Sequence, residues 1–419
     1  MPASTVCVQV GQCGNQVGEA YFDQLSRADD GETFFRERAR GGRTARAVLV
    51  DTEPRVSSQC VLGARGGWHY DRHGHVIGGD GLGAANNWAC GFMGDGARDL
   101  GAVLDCVQRE LEACDSVDSI VVLGSAAGGT GSGLGSLLAS GLRELCPHTS
   151  LLNALVLPYR TGEIITQHYN SLLSLAHLAD AADAVLLVEN EQVHRACTHM
   201  LHNPRPSFAD LNRVIAADVA AVTLPLAPAS GGRDALLSAS LAHVCPHPGF
   251  PLLTARLTPQ MPRSSIRFTS DTWGAILKRM RQMHVSDAAL ECDTNWAVRA
   301  DAPGANRSVA SLLALHGETS ASADTSAWRD RELYADWSVD PLRVAVRSRP
   351  FAEMPCAAAT LSNSQSALAP VDNLCARAYD MFTSRAYVHQ YTQHGLELDA
   401  FLDAFVQVEQ IIQSYRGLT

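Results

Sequence analysis

Lysine is almost missing from this chain: of 33 Lys and Arg residues in 419 positions, only Lys278 is a lysine. That scarcity excludes a P-loop, in which G-x-x-x-x-G-K-[ST] sets a lysine beside the glycines, because Lys278 stands far from any glycine-rich stretch. Positive charge is short overall, since 44 Asp and Glu leave a formal net charge of −11. Nucleic acid as the main partner is thereby excluded, because phosphate backbones are held by clustered Lys and Arg. The locally basic stretch 263–281 reads as a solvated face. Paired cysteines are missing too. The twelve cysteines are scattered singly, from Cys7 and Cys13 to Cys375, with no C-x-x-C, which suits reduced thiols in the cytoplasm and not a disulfide or zinc framework. No run approaches the ~18 apolar residues of a membrane helix, so no membrane insertion is expected. Met1-Pro2-Ala3-Ser4 has neither the basic start nor the apolar stretch of a secretory leader. No internal repeat is visible. A hydrophobic content of 46% with 18% charged residues describes a globular protein with a sizeable core, built of two or three domains.

What is abundant is glycine, concentrated in residues 119–145. The β-branched run Ile120-Val121-Val122-Leu123 predicts a buried parallel strand. Six glycines then fall between Gly124 and Gly135, and Leu137, Leu138, Leu142 and Leu145 recur at helical spacing. A strand, a glycine turn and a helix N-terminus together make an anion site. Glycines let N–H groups turn inward, and the first helical turn leaves its N–H groups unpaired and partly positive. Ser125, Ala127, Gly128, Gly129, Thr130, Gly131, Ser132 and Gly133 form that loop, and the hydroxyls of Thr130 and Ser132 add donors.

A second unit of the same kind opens the chain. Thr5-Val6-Cys7-Val8-Gln9-Val10 reads as a strand, followed by Gly11-Gln12-Cys13-Gly14-Asn15-Gln16-Val17-Gly18 and a helix carrying Val17, Tyr21, Phe22 and Leu25. Gln12 and Gln16 can donate to phosphate oxygens. Residues 26–46 are polar and arginine-rich and read as an exposed loop. A strand at 47–50 ends in Asp51-Thr52-Glu53-Pro54, where carboxylates at a strand's C-terminal end face the ligand crevice and suit Mg²⁺. The His-rich 68–75 matches no metal-ligand spacing and reads as an exposed loop. In Ala84-Ala85-Asn86-Asn87-Trp88 the adjacent amides can bond phosphate, ribose or a sheet edge. Strands and helices alternate up to Val188-Glu189-Asn190, which predicts a doubly wound, largely parallel sheet. A buried helix at 207–222 starts with Ser207 and Asp210 as a capping box. A Pro/Gly/Ala/Ser stretch at 225–233 marks a boundary, a mixed α/β region follows, and 371–416 reads as two long helices joined at Gln393-His394-Gly395.

In this order, GQCGNQVG (11–18), DTEP (51–54), NNW (86–88), AGGTGSG (127–133), VEN (188–190) and SFADLNR (207–213) resemble the tubulin family, over nearly the whole chain. The C-terminal MFTSRAYVHQYTQHGLELDAFLDAF (381–405) is similar to the family's final helical pair. LPYRTGEIITQHYNSLLSLAHL (157–178), VCPHP (244–248) and Ala127 in place of glycine resemble its delta branch. The resemblance implies an α/β fold with a GTP-binding domain at 1–206, a central helix and linker at 207–230, an intermediate α/β domain at 231–366 and a helical region at 367–419. It also implies GTP or GDP with Mg²⁺. Gly11, Gln12, Cys13, Gln16, Ala85, Asn86 and the 127–131 loop would surround the phosphates. Asp51 and Glu53 would face the metal, and Glu163 would lie near the ribose. Asn190 and Asn212 would hydrogen-bond the guanine edge while Phe208 stacks on it; amides suit a purine's donor–acceptor pattern and an aromatic supplies a π-face.

Two departures stand out. Polymerising tubulins present a carboxylate to the neighbouring subunit's nucleotide, and that place is held here by Ala239, between Ser238 and Ser240, with Asp234 out of register. A methyl group cannot act as the base for hydrolysis, so no activation of a neighbour's GTP is expected, and any GTPase activity is slow and partner-dependent. The chain also ends at Ser414-Tyr415-Arg416-Gly417-Leu418-Thr419 without an acidic tail, so partners that read such a tail by charge are not expected. The resemblance implies a structural subunit of centrioles, basal bodies, cilia or flagella, contacting other tubulins head-to-tail or laterally together with centriolar proteins. The alternative is a non-polymerising, GTP-bound adaptor. An NAD(P)-dependent oxidoreductase would need an acid about 20 residues after a G-x-G-x-x-G and a substrate acid–base pair; neither is in place.

Overall fold

The β-branched runs become neighbouring strands of one 11-stranded sheet in the computed structural model. The structure describes residues 3–28, 32–37, 42–63, 67–78, 81, 83–162, 164–229, 236–268 and 272–418, without the side chains of 95–97. From one edge the strands run His75–Ile77, Ala47–Asp51, Ser4–Val10, Val117–Ser125, Ser150–Leu157, Ala184–Glu189 and Leu252–Thr258, each parallel to the next. Apart from the edge strand His75–Ile77, their near-continuous burial reflects helices on both faces, as parallel sheets require. Cys356–Ser364, Ser308–Gly317, Leu342–Arg347 and Ala227–Pro228 extend the sheet with mixed polarity. The fold is therefore α/β with a doubly wound parallel half and a smaller mixed half.

Strand Leu252–Thr258 joins the halves. Leu252 and Leu253 pair in parallel with Val185 and Leu186, and Thr254 to Thr258 then pair antiparallel with Ser362 to Ala358. Tyr415, near the C-terminus, fixes this junction by donating its hydroxyl to Asn363 Oδ1 at 2.7 Å and accepting from Leu252 N–H at 2.9 Å.

Helix Phe208–Thr223 runs between the halves. Its capping box is formed by Ser207 and Asp210, which satisfies N–H groups that a helix start leaves unpaired. Leu211, Ile215, Val219 and Val222 are buried, each stabilising by about 1.5–3 kcal/mol. At its far end Thr223 and Tyr21 share a hydroxyl hydrogen bond of 2.7 Å, which ties it to helix Gly11–Ala28. The C-terminal helices Leu368–Thr383 and Leu398–Arg416 pack over helix Gln167–Ala181, with Phe401 lying 5.1 Å from Tyr169 and 5.3 Å from Tyr391, centroid to centroid. Among the described residues no helix is long and apolar enough to cross a membrane.

Two expected loops are ordered instead. Within 26–46 the first helix continues to Ala28, and strands Phe35–Glu37 and Arg43–Ala45 pair antiparallel. Within 68–75, Trp68–His69 adds to them in parallel. Phe34, Phe35, Trp68 and Tyr70 are buried against Tyr21 and Phe22, with the rings of Phe22 and Phe35 5.5 Å apart and those of Trp68 and Tyr70 5.0 Å apart. The aromatic burial outweighs the polar composition of both stretches, and even Arg46 is buried, donating to Glu32 O and Ala113 O.

Candidate functional site

Strand Ser4–Val10 leads to a helix and then to Ala47–Asp51 on one side; Val117–Ser125 leads to a helix and then to Ser150–Leu157 on the other. The two glycine turns therefore meet at the sheet's switch point, where open α/β sheets bind ligands. Gly11 has φ +73°, a conformation that side chains resist, and a Cβ there would lie 3.0 Å from Gly131 N. Asn15 holds the first turn by donating to Gly11 O at 2.9 Å and Val50 O at 3.1 Å.

The second turn is built from its own hydroxyls. Ser125 Oγ accepts from Ala127 N at 3.2 Å, and Ala127 O accepts from Asn170 Nδ2 at 2.6 Å. Gly128 and Gly129 open the first turn towards helix Gly135–Leu145, so their N–H groups have no carbonyl one turn back to bond. Thr130 Oγ1 is hydrogen-bonded to Thr52 Oγ1. Ser132 is 1% exposed and gives its hydroxyl to Gly128 O, while Gly133 presses on the backbone of Trp88. Of the loop hydroxyls, Ser132's is therefore engaged in holding the turn. Gly129 fits against residues 84–87, and a Cβ on it would stand 2.7 Å from Asn87 N.

Ala85 and Asn86 both have positive φ, 48° and 52°. Their turn is fixed by Asn170 Nδ2 and Thr166 Oγ1, which donate to Asn86 O at 2.8 and 3.1 Å. The Asn86 amide faces Gly128. Its neighbour Asn87 is structural: it caps helix Trp88–Met93 and donates to Gln390 O at 3.0 Å.

A cleft of about 900 Å³ is lined near the first helix by Gln16 and near the central helix by Asn203, Phe208 and Asn212, while the residues of the glycine turns, Asn86 and Asn190 are not among its lining. Phe208 is 71% exposed although the helix it begins is largely buried. Asn190 starts helix Asn190–Arg195, directly after the cleft-lining Glu189. Among the described residues, the side-chain amides of Gln12, Gln16, Asn86, Asn190 and Asn212 have no protein hydrogen-bond partner, whereas those of Asn15, Asn87 and Asn170 are bonded. Asn15, Asn87 and Asn170 fasten the turns, Asn86 faces Gly128, and Gln16 and Asn212 line the cleft. Burial pushes the Cys13 thiol up to about 12, so it lies against the turn in its neutral form. Glu163 lies outside the described residues.

Asp51 is 3% exposed. Its Oδ1 accepts from Glu53 N at 3.2 Å, its Oδ2 has no partner, and burial pushes its carboxyl up to about 6. The exposed side chain of Glu53 packs over Gly83. Among the described residues no cluster of three or more His, Cys, Asp or Glu could hold a metal by itself. This donor set fits Mg²⁺, which keeps water and phosphate oxygens as ligands and takes one or two carboxylates from protein.

Sequence reasoning passed over Thr52, Asn170, Asn203 and Arg160. The first two fasten the turns, and the last two line the cleft. Thr52 and Asn170 each sit inside a motif quoted for other residues, which was the available signal.

The switch-point glycine turns without lysine, the unpartnered amides and the orphan carboxylate define a nucleotide-binding α/β protein. The description "Tubulin/FtsZ family, GTPase domain" matches residues 4–198. The tubulin delta chain of Canis lupus familiaris is 37% identical over 454 residues, spanning 99% of this chain and 100% of the relative, and that of Homo sapiens is 36% identical over the same spans. The tubulin beta chain of Pyropia yezoensis is 27% identical, spanning 99% of this chain and 93% of its own length. The chain belongs to the tubulin family, with greater similarity to these delta chains than to the beta chain.

Proposed function

We propose that the chain is a GTP-binding structural subunit of centriolar, basal-body and ciliary or flagellar microtubules, contacting other tubulins head-to-tail or laterally and meeting centriolar proteins there. The observation that carries the guanine reading is the exposed Phe208 beside Asn212 in a cleft where the side-chain amides of Asn212 and Gln16 have no protein partner among the described residues. Phe208 stacks on the base, Asn190 and Asn212 read its edge, and Gln12, Asn86 and the 127–131 turn hold the phosphates. Asp51, with Glu53 and water, holds Mg²⁺, which neutralises charge between the phosphate groups. Similarity to delta chains along the whole length supports the structural role. Nucleotide released from purified protein and separated by chromatography tests the ligand; adenine nucleotide, or none, sinks the reading. Localisation of a tagged chain to centrioles and basal bodies tests the setting, and a diffuse signal in ciliated cells counts against it.

One observation favours the non-polymerising adaptor. Helix Leu237–Val244 carries Ala239 where polymerising relatives are expected to present an acid, and Asp118 accepts at its start from Ser238 N–H at 3.2 Å and from Ser238 Oγ. Asp234 lies outside the described residues. A carboxylate holding a helix start is a poor general base for a neighbour's water. Sedimentation with GTP and candidate tubulin partners separates the readings: filaments support the microtubule subunit, a discrete heterodimer the adaptor. GTPase activity of the assembled pair should rise in Ala239→Glu, and equal activity in the unaltered protein refutes the missing-acid argument.

A further inference from the structure

Beyond the guanine-facing residues, past Glu189, the cleft is lined by Thr254, Arg256, Asp287 and Ser366. Thr254 and Arg256 stand two apart on strand Leu252–Thr258 and therefore point to the same side. Arg256 is 5% exposed. Its Nε donates to Ala288 O, and its Nη2 to Asp287 Oδ1 and Ser366 Oγ, each at 2.9 Å. Its Nη1 has no partner, and neither has the buried Oγ1 of Thr254. The same layer holds two more unmatched atoms: Oγ1 of Thr360, in register opposite Arg256, and Nδ1 of His284, on the covering helix Trp273–Val285.

An unmatched buried polar atom is destabilising, and more so when charged. Thr254 and Arg256, two such groups on one face of the same strand and both lining the cleft, call for a polar occupant. Arg256 offers N–H and Thr254 offers O–H, so the occupant presents acceptor oxygens. Glu189 and Asp287 stand within electrostatic reach of Arg256 and disfavour a doubly charged group. Val188, Leu290 and Pro370 make the neighbouring wall apolar. We infer that this inner end of the cleft binds a small monocarboxylate on an apolar body, its oxygens accepting from Arg256 Nη1 and Thr254 Oγ1 while GTP stays in place.

Benzoate is the probe, titrated calorimetrically into the GTP-loaded full chain with bound nucleotide measured on the same samples. Saturable binding is expected, weakened about tenfold or more in Arg256→Gln and measurably in Thr254→Val, with GTP content unchanged. Benzylamine, the same ring with opposite charge, should not bind. Thr254→Val keeps the side-chain shape, so equal benzoate affinity in that variant overturns the site. So does a lack of saturable binding, which leaves these atoms to ordered water, or release of GTP as benzoate binds. A chain purified without guanine nucleotide sinks the proposed function instead, because the benzoate titration reads the inner end separately.

Discussion

The Cβ that Gly11 lacks would sit 3.0 Å from the backbone nitrogen of Gly131, so the two glycine turns, 120 residues apart in sequence, pack backbone to backbone. A side chain at position 11 must both adopt φ +73° and push the phosphate turn outward. Left-handed backbone alone costs a residue with a Cβ about 1–2 kcal/mol. Gly11→Ala should therefore lower thermal stability and abolish nucleotide retention on gel filtration. Gly101→Ala is the control: that glycine lies inside helix Asp95–Glu112 with open space around it, and the change should stabilise by about 0.5–1 kcal/mol and leave nucleotide content alone.

Phe208 separates binding from folding. It is mostly exposed at a helix start, so Phe208→Ala should change the unfolding free energy of nucleotide-free protein, read by urea titration, by about 0.5 kcal/mol or less. Aromatic–base stacking contributes about 1–3 kcal/mol, so GTP affinity in the same variant should fall by roughly tenfold or more, while Phe208→Tyr stays near the original. A large stability loss with unaltered GTP affinity would make Phe208 a packing residue.

The strands of the doubly wound half were legible because both of their faces are buried, leaving runs such as Ile120-Val121-Val122-Leu123 without polar interruption. The three-stranded outer sheet was hidden for the opposite reason. Phe35 is followed by Arg36 and Glu37, Ala45 stands between Thr44 and Arg46, and Trp68 and Tyr70 lie among histidines, so composition pointed to loops where aromatic burial gives strands. Of the residues that the motifs singled out, Gln16, Phe208 and Asn212 line the cleft. The inner end was not legible: Thr254 and Arg256 look in sequence like an exposed strand face, and only the covering helix Trp273–Val285 and the segment at Ser366 enclose them.

Asp51 gives the site a pH dependence of definite sign. Its carboxyl is raised by burial from 3.8 to about 6, so the folded, metal-free protein keeps its proton up to about pH 6, where the unfolded chain has lost it. Stability from this group rises as pH falls from above 6 towards 4, because the folded state then binds the extra proton. Mg²⁺ needs the carboxylate, so magnesium-dependent tightening of GTP should fade as pH drops through about 6. Asp51→Asn should lose both the magnesium effect and the pH step, read by GTP titrations with and without Mg²⁺ at pH 5 and 7.5. A magnesium effect that persists in Asp51→Asn assigns the metal elsewhere.

His316 and His284 act in the reverse direction. His316 is fully buried: its Nε2–H donates to Ala221 O at 2.7 Å, its Nδ1 has no partner, and its ring lies 4.9 Å from Phe351. Burial holds it down to about 4, and burial with the fields of Arg256 and Arg281 holds His284 down to about 3. Both are neutral in the fold and take up protons near 6.5 once unfolded. Each therefore removes stability as pH falls below 6.5, by up to about 1.4 kcal/mol per pH unit, until its folded value is reached. Because Asp51 opposes this, the readout is a difference between proteins: urea midpoints of His316→Asn and the unaltered chain at pH 7 and pH 5. The variant should be less stable at pH 7, having lost buried packing, and the gap should narrow by pH 5. A gap of constant size would mean that His316 does not take up a proton on unfolding in this range.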